Sequence, residues 1–184
     1  MKTKYFALLT GILLTCSPLY AQKFWTTGNG KIDFFSKTPV EDIEAHSTAA
    51  GAIINTETGN IAFKVPIKSF HFPNNLMEEH FNENYLESEK YPDGTFSGKM
   101  EPIVDFSKPG SYPVVAKGKL KIHGVEKERE INGILTVKAD KTAQLISELD
   151  IPLADHNIER PQLVLVKIAE KISVKTDFIL KPKQ

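Results

Sequence analysis

The stretch LMEEHFNENYLES, Leu76 to Ser88, gathers His80 with Glu78, Glu79, Glu83 and the amides of Asn82 and Asn84. His80 and Glu83 stand three residues apart, a spacing that sets both on one side of a helix, and His71 lies nearby in the chain. A catalytic zinc takes three protein ligands in a defined geometry, and no HExxH or comparable spacing is present. The pattern therefore reads as a helix with solvated acids, His80 packing or hydrogen-bonding at its rim. His46, His123 and His156 fall on strand ends or turns and read as ordinary surface or rim residues. Nucleophilic catalysis has as little support: there is no GxSxG elbow, and the single thiol is Cys16. Asp150 and Asp155 are close in sequence, but Asp150 has the outward parity of a strand and reads as solvated. No enzymatic activity is expected.

The elements around this segment follow a period of two. Ile61, Phe63, Val65 and Ile67 alternate with Ala62, Lys64, Pro66 and Lys68. Such alternation marks a strand with one face in a core and the other in water. It recurs at Leu120 and Ile122, from Ile131 to Val137, from Leu145 to Ile151, and from Ile172 to Leu180. Turn-forming clusters separate the runs: TETGN at 56–60, SKPGS at 107–111, HGVEK at 123–127 and KADKT at 138–142. With Lys31 to Lys37, Ile43 to Ile54 and Thr95 to Ile103 there are about eight short strands, which predicts an all-β sandwich or barrel. Eight strands enclose an interior that is either filled by side chains or able to hold one small ligand. Gly98, Gly118, Gly133 and Ser147 on the inner face suit a channel and close interdigitation equally well.

Asn75 has the character of an N-cap, and Glu78 three residues on has the spacing of a capping box. The segment after it is predicted as about three helical turns, with Met77, Phe81 and Tyr85 on one apolar face, fit to cap a barrel mouth.

The first residues have the layout of a secretory signal peptide: Lys2 and Lys4, an apolar run from Tyr5 to Leu14, then SPLYA ending at Ala21. Cleavage there leaves residues 22–184 as one domain without a cysteine, bound for the periplasm or the medium. LLTC also approaches a lipoprotein box, but Thr15 stands where Gly, Ala or Ser is usual, so lipid anchoring through Cys16 is the weaker alternative. The 23 basic and 23 acidic residues leave no net charge and no nucleic-acid footprint. No segment after the leader is apolar enough to span a membrane.

Four places carry a family resemblance. GKLKIHGVEKERE, Gly118 to Glu130, is similar to a hairpin of the form G-x-L-x-I-x-G-V-T-K, with Glu126 where Thr is usual. KVPIKSFHF followed by LMEEHFNENYLESEKYPDGTFSGK resembles a strand, a helix and a yP-x-x-x-F succession, with Tyr91, Pro92 and Phe96 in place. GKIDFFSKTPVEDIEAHSTAAGAI resembles the same family's first hairpin, and LDIPLADHNIERP with VKIAEKISVKTDFIL its ending. The family is that of the YceI-like proteins, exported bacterial binders of lipids or polyisoprenoids.

The resemblance implies a lipocalin-like antiparallel barrel with a helical lid and an elongated apolar tunnel for a long isoprenoid, quinone or fatty-acyl chain. That lipid is then the ligand, with no cofactor or metal; a homodimer is compatible with this reading. Inward parity would put Phe63, Val65, Ile67, Phe96, Met100, Leu120, Ile122, Leu135, Leu149, Val174 and Phe178 on the tunnel wall, with Met77 and Phe81 facing it from the lid. Where family members often carry an Arg-Asp pair ahead of the histidine, this chain has Glu78 and Glu79. Acids in the first turn repel an anionic diphosphate and shift the expectation toward a neutral quinone, an amide or a fatty acid. The polar head-group candidates are His71, Asn74, Asn75, His80 and Asn84. The competing reading is a non-catalytic envelope module whose barrel is filled and only a scaffold.

Overall fold

The computed structural model describes residues 23–38, 42–159 and 168–183. The expected leader, with Cys16 and Ala21, lies outside these residues.

Eight strands run in chain order: β1 (Phe24–Lys37), β2 (Asp42–Asn55), β3 (Asn60–Pro66), β4 (Asp93–Glu101), β5 (Gly110–Ile122), β6 (Val125–Val137), β7 (Ala143–Pro152) and β8 (Lys171–Pro182). Each pairs antiparallel with the next and β8 pairs with β1, closing the eight-stranded barrel that the alternation predicts. Closure removes the open edges of a flat sheet, except where β6 (125–132) and β2 (42–50) extend beyond their pairing with β7 and β3. His123 and Gly124 make the two-residue β5–β6 turn, both with positive φ, 50° and 74°. Mirror-image turns of this kind match the right-handed twist of the flanking strands.

β1 starts well before the run read at 31–37, whereas β2 matches the run read at 43–54 to within one residue at each end, and a bulge interrupts their pairing between Thr27 and Gly30 and again before Ile32. On β1 the buried positions run Trp25, then Gly30, Ile32, Phe34 and Ser36; on β2 they run Ile43, Ala45 and Ser47, then Ala50, Ala52 and Ile54. The extra residue changes which parity faces inward, so one uninterrupted period of two does not describe either strand.

Along its axis the barrel has two unlike halves. At the end where β1 starts and β8 finishes, Ile54, Met100, Leu135, Ala143 and Leu180 are fully or almost fully buried. Trp25 and Phe106 close that end with ring centroids 4.8 Å apart. At the other end lie the helix and two short 3₁₀ turns, Ile67–Ser69 and Leu153–His156.

The wall at that second end is completed by these connecting segments. Pairing of β6 with β7 covers only Gly133–Val137 against Ala143–Ser147, and β2 meets β3 only from Gly51 to Ile54. The Leu153–His156 turn bridges the first gap: Asp155 forms an ion pair with Arg129, and His156 Nδ1 bonds the Val125 carbonyl. Backbone bonds between His46 and His71, 2.9 and 3.1 Å, hold the second gap.

The helix differs from the sequence expectation at its start. Asn74, not Asn75, is the N-cap: its Oδ1 accepts from the Leu76 N–H at 2.9 Å. Glu78 makes no capping box; its carboxylate reaches back to accept from the Phe72 N–H at 3.1 Å. The helix α1 (Asn75–His80) continues into a wider π-helical turn, Phe81–Tyr85, whose two end residues are buried. Phe81 sits among Phe72, Phe70 and Phe34, with ring centroids 4.9, 5.7 and 5.9 Å away. That aromatic cluster fastens the lid to β1 and to the segment after β3.

Candidate functional site

Under the lid the barrel is hollow. The cavity offers about 130 Å³ to the centres of water-sized molecules, on the order of ten water positions. Its floor is a stack of three rings, Phe96 and Phe63 from the adjacent strands β4 and β3 and Phe178 from β8. Phe63 lies 4.9 Å from Phe178 at an interplanar angle of 12°, and 5.7 Å from Phe96 at 24°. Phe178 is possible there only because β1 presents Gly30: a Cβ at that position would lie 2.0 Å from the ring. Below the stack is the packed half; above it Val65, Leu149, Val174 and Ile122 are half-exposed despite their inward parity. These side chains meet empty space in place of neighbours, and their dispersion contacts on that side are missing.

Ten of the thirteen residues placed on the tunnel by sequence line this cavity: Phe63, Val65, Ile67, Phe81, Phe96, Leu120, Ile122, Leu149, Val174 and Phe178. Three do not. Met100 and Leu135 point inward but lie in the packed half, and Met77 borders a separate recess of about 20 Å³ beside His80. Inward parity correctly gives their face and says nothing of their height along the axis. Sequence reasoning missed Ile32 and Phe34 on β1, Ile131, Ile151 and Ile172, and the loop residues Phe70, Leu153, Ile158 and Ile168. The β1 pair shows the alternation of a strand; the loop residues carry no periodic signal.

None of the five head-group candidates lines the main cavity. His71, Asn74, Asn75 and Asn84 are exposed on the outer side, and His71 stands 3.6 Å from the Glu78 carboxylate. Asp150 and Asp155 do not converge either: Asp150 pairs with Lys171 at 2.8 Å and Asp155 with Arg129. Among the described residues no three His, Cys, Asp or Glu side chains are grouped to hold a metal ion.

Of the histidines read from sequence as surface or rim residues, His156 is buried and His123 is half-buried. His123 Nε2 meets the Glu87 carboxylate at 2.7 Å and Nδ1 the His156 carbonyl at 3.1 Å, with Tyr91 packed edge-on at 4.6 Å. His156 is fully enclosed, and its Nε2 makes no hydrogen bond. Burial pushes its pKa below the usual histidine value of 6.5, and Arg129 adds to this, against the opposing pull of Asp155 and the backbone. The folded chain therefore holds His156 neutral, whereas the unfolded chain takes up its proton below about pH 6.5. Its contribution is fully present above that pH and is lost as the pH falls toward the lowered folded value, with a slope of at most about 1.4 kcal/mol per pH unit. Urea unfolding between pH 7.5 and 5.5 checks this: the wild type loses stability relative to His156→Gln, and parallel profiles would remove His156 from the account.

A family model described as a YceI-like domain matches residues 23–180. The chain belongs to the YceI-like family. Solved structures with the same fold as this YceI-like chain include a polyisoprenoid binding domain from Saccharophagus degradans, at 14% identity and a TM-score of 0.75, covering 89% of this chain and 100% of that one. BcnA of Burkholderia cenocepacia matches at 16% identity and a TM-score of 0.68, over 82% of this chain and 95% of its own. The YceI protein of Campylobacter jejuni matches at 16% identity and 0.63, over 80% and 90%. At such identities the likeness establishes the fold alone. A search of the curated proteins finds no match. No described helix of this YceI-like chain is long and apolar enough to cross a membrane.

Proposed function

We propose that this YceI-like chain is an exported binding protein that holds a long apolar chain, of polyisoprenoid, quinone or fatty-acyl type, in the cavity above the phenylalanine floor. The observation that carries this reading is the hollow half of the barrel, lined almost throughout by apolar side chains. The polyisoprenoid-binding relative supports the ligand class.

The enclosed space suits on the order of ten methylene-sized groups. At about 0.8 kcal/mol for each methylene withdrawn from water, that amounts to roughly 8 kcal/mol before the costs of association. Affinity of this origin needs no charged motif, and the outward position of His71, Asn74, Asn75 and Asn84 agrees with a ligand gripped by its tail.

Organic extraction of the natively purified mature protein, followed by mass spectrometry, tests the reading. The expected result is a long-chain lipid in near-equal amount to a protein that begins close to Gln22. A chain that carries no lipid and takes up neither prenyl nor acyl compounds would overturn it.

A further inference from the structure

Among the described residues the cavity wall carries a polar pair that the apolar reading does not use. Ser147 on β7 and Thr176 on β8 face each other across the strand pair, 8% and 7% exposed, and both line the cavity. Their hydroxyl oxygens are 2.7 Å apart. They occupy the row next to Leu145 and Phe178, so they sit one step above the aromatic floor. Gly133 lies opposite Ser147 on β6 and adds no side chain over it.

Two hydroxyls carry two protons, and the bond between them uses one. The other O–H has no acceptor among the described residues, since the mutual contact is the only hydrogen bond either side chain makes. Cross-strand Ser–Thr pairs do stabilise sheets. A buried donor left without a partner carries a desolvation penalty, however, and a pair of small apolar residues would avoid it. We propose that Ser147 and Thr176 form a hydrogen-bonding subsite deep in the cavity, selecting ligands with a neutral oxygen acceptor, such as a carbonyl or ether, on the part that reaches the floor.

This rests on the cavity being the binding site, and it narrows the ligand class. An anionic group is a poor fit at that depth. Among the described residues the one cationic residue on the cavity wall, Lys64, has its ammonium at the surface, paired with Asp93 at 2.8 Å. A carboxylate moved there from water would meet a single hydroxyl proton.

Two linear probes of equal length test it, decan-2-one and dec-1-ene, measured by displacement of a fluorescent apolar dye from lipid-free protein. In Ser147→Ala/Thr176→Val the ketone binds about fivefold to tenfold more weakly than in the wild type, while the alkene is unchanged or slightly tighter. Thr176→Ser, which keeps the hydroxyl, retains the ketone's affinity and guards against a loss of fold. Equal changes for both probes, or an unchanged ketone, would overturn the subsite and leave the binding reading intact. Failure of the wild type to bind either probe would overturn both.

Discussion

Replacing Phe178 by alanine will lower the free energy of unfolding by about 3 to 5 kcal/mol, the range for a large aromatic removed from a core that cannot collapse around the gap. Phe178 is fully buried, stacks on Phe63, and lies against the bare backbone of Gly30. Its neighbours are poorly placed to close the gap. On one side is strand backbone, fixed by the ladders of β1 and β8; on the other is the cavity, so the gap merges with space that is already empty. Urea unfolding gives the value, and a loss under about 1 kcal/mol would mean that the floor is not a packed layer. Gly30→Ala supplies an independent reading. By itself it drives a methyl group into the Phe178 ring; in the Phe178→Ala background the space is free. The two changes should therefore be less damaging together than their sum, by about 0.5–3 kcal/mol.

Leu120→Trp will weaken the binding of a long apolar chain by about thirtyfold while leaving the fold close to its original stability. Leu120 lines the cavity from β5, so a larger side chain grows into empty space. If the indole displaces two or three methylenes of the ligand, about 2 kcal/mol of transfer free energy is lost. Overpacking a filled core costs about 1–3 kcal/mol, whereas filling a void restores contacts that were absent. The two readouts separate the cases. Weak binding with unchanged unfolding identifies a ligand space, and a chain that unfolds easily while binding normally would place Leu120 in closed packing. Dye displacement and urea titration on the same preparation give both.

The extent to which this molecule is legible in its sequence follows from what each signal encodes. Strand alternation gives the face of a residue, so Phe63, Val65, Leu149 and Val174 are placed on the inner wall without coordinates. It does not give axial height, and Met100 and Leu135 share that inward parity while lying in the packed half. Bulges in β1 and β2 exchange the parities within a single strand, so the inward face of one half, where Ile32 and Phe34 alternate regularly, does not carry over to the other. Ile158 and Ile168 face the cavity from irregular segments, and His156 is enclosed in a 3₁₀ turn too short to show a period. The choice of Asn74 over its neighbour Asn75 as N-cap rests on backbone angles that two adjacent asparagines do not distinguish in sequence.

The division of the barrel into a packed half and a hollow half also determines how the protein reports its own loading. Contacts missing above the floor are contacts that an apolar guest would supply, so the guest is in effect a detachable part of the core. A ligand that binds only the folded chain raises its stability by RT ln(1 + [L]/Kd), about 2.7 kcal/mol at a hundredfold excess over Kd. Melting temperature thus becomes a measure of occupancy, and the empty barrel is the form expected to be more open to a protease.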